Sequence, residues 1–301
     1  MRIDRPELKR SARASMRNAR PNALLVTFVY QLLTTGLSVV VSLLAVDPLG
    51  RILHLFQQGL DWERAIPLAL RGVGWLGLFL NVLLLIFGLV MDFGYRGWCL
   101  KTARDEAGKL SDLTGGFSMV GRILWLNIIM WVYGILWYTA IFVPAFFLAG
   151  LLAFVIGPLA IVVAFVIALV AFLSRILRYA MAIYCLIDQP ELGAAYALRR
   201  STWMMQGRVW EYVLLILSFF GWGFLGAVLM SVAESAVIFT MGGGALAAGP
   251  QPEAIAGSLA MSVIPALVVW PFMLWLTPYM AVTECKFFDR IKGGSSDRAP
   301  L

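Results

Sequence analysis

Histidine is almost missing from this chain: 301 residues contain a single one, His54. One imidazole excludes every His-based catalytic dyad and any multi-histidine metal site. Cysteine is scarce as well. Cys99, Cys185 and Cys285 are the full set, and none has a C-x-x-C or C-x-x-H neighbour. A three-thiolate metal site would need the fold to bring them together; thiols packed among apolar side chains are the reading adopted here. Charge is low, with 14% of residues charged against about 25% in soluble domains. No acid falls at the middle of the long apolar runs, so a carboxylate relay for proton-coupled transport is not expected. No Walker loop, G-x-S-x-G, H-E-x-x-H or dinucleotide fingerprint occurs. No catalytic residue, cofactor or metal is therefore expected.

What fills the chain instead is hydrocarbon. Sixty-one per cent of residues are hydrophobic and the mean hydropathy is +0.84. A helix crossing ~30 Å of bilayer needs about 20 apolar residues. Six runs qualify, at 23–46, 72–93, 123–150, 158–182, 209–230 and 259–282. No charge lies between Ile123 and Leu173, a stretch too long for one crossing and sufficient for two. Gly157-Pro158 is the expected turn there, because Pro removes a donor and Gly permits unusual backbone; Phe142-Val143-Pro144 is the alternative.

Basic residues are sorted between the two sides of these runs. Seven precede the first, five lie between the second and third, five between the fourth and fifth, and four follow the sixth, together 21 of 24. Arg51, Arg64 and Arg71 alone fall on the other side. The positive-inside rule then places both termini in the cytoplasm. Juxtamembrane placement also accounts for the net charge of +7 without nucleic acid. The twenty-residue basic start, the long first run and the lack of a small-residue cleavage site argue for a retained span rather than a signal peptide. Expected domains are a basic amphipathic helix over 1–22, a membrane domain over 23–292 and a disordered tail over 293–301.

Three stretches share one layout of basic lead-in, apolar pair of runs, then tyrosine, cysteine and acid. Asp4-Arg5-Pro6-Glu7-Leu8 recurs as Asp188-Gln189-Pro190-Glu191-Leu192. In both, the Asp suits an N-cap, Pro the first turn and Glu a capping box. A third lead-in, Ser111 to Phe117, lacks the Pro. The exits read Tyr95, Cys99, Asp105; Tyr179, Cys185, Asp188; and Tyr279, Cys285, Asp289. Tyrosine there fits an aromatic belt at the water–lipid boundary, so shared interfacial chemistry and a threefold repeat both remain open. The predicted first lead-in helix carries Arg10, Arg13, Arg17 and Arg20 on one face, with Leu8, Ala12, Ser15 and Ala19 on another. Leu49, Ile52, Leu53, Phe56 and Leu60 form an amphipathic stripe, and Met241 to Gly257 is a Gly/Ala-rich loop or weak re-entrant segment.

Asn81 and Asn127 stand inside runs and suit hydrogen bonds to neighbouring helices. Asp92 is one turn from Arg96, Glu211 has Arg208 nearby, and Glu284 has Lys286 beside it or a partner across helices. Prolines 265, 271 and 278 crowd the sixth run, and Gly221, Gly223 and Gly226 the fifth, which suits either close packing or a transport cavity.

The chain resembles the bacterial domain-of-unknown-function 975 family of integral membrane proteins, within a YciC-like group. The residues that carry this are Leu8-Lys9-Arg10-Ser11-Ala12; Gly116-Phe117; Arg178-Tyr179-Ala180-Met181-Ala182-Ile183-Tyr184 with Asp188-Gln189-Pro190; and Arg200-Ser201 through Gly207-Arg208, Leu217 to Trp222 and Pro278-Tyr279. The resemblance implies a six-span plasma-membrane protein and supplies no site residues. The fold expected is all-α, with six transmembrane helices as three hairpins plus cytoplasmic amphipathic helices. The role expected is non-enzymatic, in organising, assembling or regulating something in the membrane; a transporter or channel for a small or amphipathic solute is the alternative. Anionic lipid headgroups, a further copy of the chain or another membrane protein are the partners this suits, with contacts through Arg10, Arg13, Arg17, Arg199, Arg200 and Arg208.

Overall fold

A computed structural model describes residues 4–44, 61–70, 75–157, 159–241 and 252–293. The predicted stripe from Leu49 to Leu60 with His54, Arg51 and Arg71, and the tail beyond Gly293 lie outside the described residues. So does most of the glycine-rich loop, though its last part, from Pro252, belongs to a helix. The described residues are almost all helical, with no strand among them.

Among the described residues twelve α-helices follow in chain order. Helix α1 is Arg5–Asn18, α2 is Ala23–Gln31 and α3 is Leu37–Leu44, with a π-helical turn at Leu32–Gly36 between the last two. Helix α4 is Trp62–Leu70 and α5 is Trp75–Ala103. After a 3-10 segment at Leu110–Met119 come α6, Val120–Ile156, and α7, Leu159–Ile176. Helices α8, Ala182–Asp188, and α9, Gly193–Met204, are short and flank a 3-10 turn at Pro190–Leu192. Helices α10, Val209–Leu217, and α11, Phe220–Met241, precede the 42-residue α12, Pro252–Gly293.

Five stretches are long and apolar enough to cross a membrane among the described residues: Ala23–Val41, Gly77–Ala103, Leu110–Phe154, Leu159–Asp188 and Val209–Val237. They correspond to the first five expected runs, and α12 contains the sixth. Helix α6 runs unbroken through Phe142-Val143-Pro144 and ends where Gly157 adopts φ +85°. That left-handed backbone favours glycine, so the chain turns at Gly157 as expected and the Phe142 alternative is set aside. The expected fifth run, 209–230, is two helices broken at Ser218-Phe219. Its second helix continues to Met241, which places Glu234 inside the helix rather than beyond it.

Burial divides the molecule into two zones. In α5, Leu78, Phe79, Val82, Leu83 and Leu85 are exposed, whereas Val90, Met91, Phe93, Tyr95, Trp98, Cys99, Leu100 and Ala103 are buried. Helix α12 changes the same way, and Tyr279, Val282, Cys285, Phe287, Phe288 and Ile291 are all buried. Leu8 and Ala12 of α1, Ile123 and Leu126 of α6, and Ala197 and Leu198 of α9 join the same cluster. At about 1.5–3 kcal/mol per large apolar side chain removed from water, this end of the bundle carries most of the packing energy. The other zone presents apolar side chains outward, as a hydrocarbon solvent allows.

Glycine sets the closest approach in that core. A Cβ on Gly94 of α5 would stand 2.0 Å from the Leu113 carbonyl oxygen, and one on Gly116 would stand 2.5 Å from that of Val90. The 3-10 segment therefore lies backbone to backbone on α5. Gly226 of α11 similarly faces Phe272 and Met273 of α12, 3.1 Å from a built Cβ, so this glycine of the fifth run serves packing.

Capping differs from the sequence expectation. Asp4 sits at the N-cap of α1, yet its side chain makes no cap hydrogen bond. Glu7 accepts from Arg290 at 3.0 Å instead of closing a capping box. Asp188 ends α8 rather than beginning a helix, and Pro190-Glu191-Leu192 forms the 3-10 turn. The cap appears in the lead-in without the Pro, where Asp112 accepts from the Lys109 backbone N–H at 2.8 Å. Asn81 and Asn127 donate to the carbonyls of Gly77 and Ile123, each four residues back on its own helix, at 2.8 and 2.9 Å. In apolar surroundings that local bond satisfies one amide N–H without a second helix.

Gly94→Ala is expected to cost about 3 kcal/mol, because the clash is with backbone that cannot turn aside. Gly115→Ala, with nothing within 4 Å of its Cβ, should stay within about 0.5 kcal/mol. Unfolding of both variants in detergent measures the difference.

Candidate functional site

Helix α1 is built to be held on one face and left basic on the other. Leu8, Ala12 and Ser15 are buried, and Ser15 donates to Asp105 at 2.8 Å. Lys9 donates to the Ser218 carbonyl at 2.9 Å, a group freed by the break between α10 and α11. Its ammonium also lies 4.1 Å from the Phe219 ring, and Arg13 lies 4.9 Å from that of Tyr279. These cation–π contacts dock the helix without consuming its charge. Burial, then the nearby Arg13 and Arg5 charges, pull Lys9 below its ordinary pKa.

The result is a basic pocket of about 430 Å³ lined by Arg5, Pro6, Lys9, Arg10, Arg13 and Ser218, with no carboxylate in its wall. It unites two predicted contacts, Arg10 and Arg13, and adds Arg5 and Lys9, which the sequence reading left out. Their signal was present as an i, i+4 spacing between Arg5, Lys9 and Arg13. The other predicted contacts are dispersed. Arg17 is exposed further along α1. Arg199 lines a second pocket, with Arg178. Arg200 donates to Gln189 and Tyr196. Arg208 donates to the Ile291 carbonyl at 3.4 Å, not to Glu211, whose Oε2 is buried with no partner.

Beside α1 the three predicted exits meet. Arg104, at the end of α5, donates to Asp188 at 2.9 Å and to Asp289 at 2.7 Å. Lys292 donates to Asp188 at 2.6 Å, and Lys286 stands 3.8 Å from Asp105. Hydrogen bonding to Asp289, opposed by partial burial, raises the Arg104 guanidinium above its ordinary pKa. All three exit acids thus enter one ionic layer. Two of the three exit tyrosines depart from the aromatic-belt expectation. Tyr95 and Tyr279 are buried. Tyr95 shares a 3.0 Å hydrogen bond with Thr27, and Tyr279 packs on Phe219 and Trp275. The three cysteines are buried as separate thiols.

A second polar cluster lies deeper. Arg96 donates to Asp92 at 2.8 Å, as the one-turn spacing predicts, and also to Tyr184 at 3.2 Å. Tyr184 donates to Glu284 at 3.0 Å, and Tyr212 reaches the other oxygen of Glu284 at 3.5 Å. Glu284 therefore takes partners across helices α5, α8 and α10 instead of Lys286. No sequence spacing announces Tyr184 or Tyr212, because their partners are remote in the chain.

A family model described as a protein of unknown function (DUF975) matches residues 1–295. No curated protein matches the chain, and no solved structure does.

Tyr184→Phe should destabilise the protein by about 1–2 kcal/mol, since its hydroxyl both accepts from Arg96 and donates to Glu284. Tyr212→Phe should cost less than about 0.5 kcal/mol, because its contact is at the long limit of a hydrogen bond. Chemical denaturation in one detergent compares the two.

Proposed function

The chain belongs to the DUF975 family, and we propose that it is a non-enzymatic membrane protein whose basic end engages anionic lipid headgroups. In this reading six helices cross the plasma (inner) membrane as three hairpins, α12 supplying the sixth crossing, with both termini on the cytoplasmic side. The role is to organise, assemble or regulate membrane components. The observation that carries it is the α1 pocket, where Arg5, Lys9, Arg10 and Arg13 converge without a carboxylate. Each Lys or Arg near an anionic surface contributes about 1 kcal/mol, a field that falls off within a Debye length. The ionic layer and the buried core lie at this same end, so the headgroup contact is made by the best-packed part of the molecule. Transport is the weaker reading, because Gly226 is occupied in packing against Phe272 and Met273.

The orientation has a direct test, because the native cysteines are buried and give little background to a thiol reagent. Arg17→Cys on α1 should be labelled from the cytoplasmic side of the membrane and Arg64→Cys on α4 from the opposite side. Labelling of both from one side would reject the topology.

Lipid binding is tested with the full chain in nanodiscs or detergent. Purified protein should retain anionic over zwitterionic phospholipid, and the retention should weaken with salt. Replacing Arg5, Arg10 and Arg13 together by Gln should weaken it at least tenfold, following about 1 kcal/mol per charge. Retention indifferent to headgroup charge would reject the proposal.

A further inference from the structure

The second basic pocket differs from the first in having an apolar annex. Its volume is about 390 Å³, and Arg178 and Arg199 line it with Tyr133, Tyr179, Trp203 and Gln206, without a carboxylate. The Arg178 Nε is buried and has no hydrogen-bond partner. Among the described residues neither arginine enters an ion pair. The backbone of Arg178 is fixed, since its carbonyl accepts from Ser201 at 2.7 Å. The Tyr179 oxygen already accepts from the Trp137 indole at 3.1 Å, which leaves its own O–H to donate elsewhere. Two guanidinium groups and a directed hydroxyl, with a buried N–H unsatisfied, form a site short of one anion.

An apolar groove of about 400 Å³ borders the same elements, lined in part by Met130, Gly134, Phe172 and Ile176. Met130 and Gly134 flank Tyr133 on α6, and Ile176 ends α7 two residues before Arg178. A free phosphate has no use for such a groove, whereas an acyl chain does. Tyr133, Tyr179 and Trp203 beside the arginines match the headgroup level of a bilayer.

We infer that the Arg178–Arg199 pocket and the α6–α7 groove form one binding site for a single anionic phospholipid, its phosphate on the arginines and an acyl chain in the groove. Guanidinium planes take phosphate oxygens in pairs, which gives the site a geometry that diffuse surface charge lacks. The inference rests on the proposed lipid-contacting role but concerns a site separate from the α1 pocket, so the two can fail independently.

Native mass spectrometry of the full chain in detergent, titrated with phosphatidylglycerol, is the test. One lipid should bind more tightly than the rest, and R178Q/R199Q should weaken that first binding at least tenfold. R199Q alone, at an exposed position, should weaken it at least threefold and guards against a misfolded double variant. Undiminished first binding in R199Q and in R178Q/R199Q overturns the site while leaving the α1 reading intact. Equal affinity for phosphatidylcholine, or for inorganic phosphate, overturns the assignment of an anionic lipid. A wild-type chain with no preference for anionic lipid at all overturns the proposed role itself.

Discussion

Arg104 is where the three exits of the chain are tied together. Its guanidinium spans Asp188, which ends α8, and Asp289, near the end of α12, from its own place just past α5. A fork of fixed donors suits this better than a flexible ammonium, because two carboxylates from different helices are held at set directions. Asp188 is almost fully enclosed, its side chain 8% exposed. It would be costly without its two cations, Arg104 and Lys292. Once these ends are joined, the three cysteines, with Tyr95 and Tyr279, one to three turns earlier are held inward. That accounts for a core made of exit residues.

The same tie accounts for the division into two zones. The apolar helices run on into lipid, where backbone groups are satisfied within each helix and outward side chains need no protein partner. Their ends, which must cope with water, pack on one another through Gly94, Gly116 and the buried aromatics. Helix α1 is laid on that packed end by Ser15, Lys9 and Glu7, and its remaining arginines are left facing outward. The proposed headgroup contact thus falls on the best-packed part of the molecule, the arrangement that best preserves the geometry of a site.

Much of this was legible from residue order alone. Hydrophobic run length located the apolar helices, and the left-handed Gly157 justified the turn that its pairing with Pro158 suggested. The buried face of α1 followed from helical spacing at Leu8, Ala12 and Ser15. The motif Asp-x-Pro-Glu-Leu misled: its two copies adopt different local structures, because Asp188 is drawn to Arg104 and Lys292 instead of a helix N-terminus. Tertiary electrostatics there outweighs a cap worth about 1 kcal/mol. The break at Ser218 was hidden because an apolar sequence reads alike in one helix or two. The partners of Glu284, and the joint placement of Arg178 and Arg199, depend on contacts across the bundle that no local spacing encodes. Of the predicted contacts, Arg10 and Arg13 share a pocket because they lie on one helix face, whereas Arg200 and Arg208 are turned to Gln189 and the Ile291 carbonyl.

A double-mutant cycle between Arg104→Gln and Asp289→Asn, followed by denaturation in detergent with Asp188 intact, addresses the tie itself. A coupling of about 1–2 kcal/mol is expected for a partly buried, two-armed pair that organises its surroundings. A coupling indistinguishable from zero would show that the exits converge through apolar packing alone and would contradict the role given to Arg104.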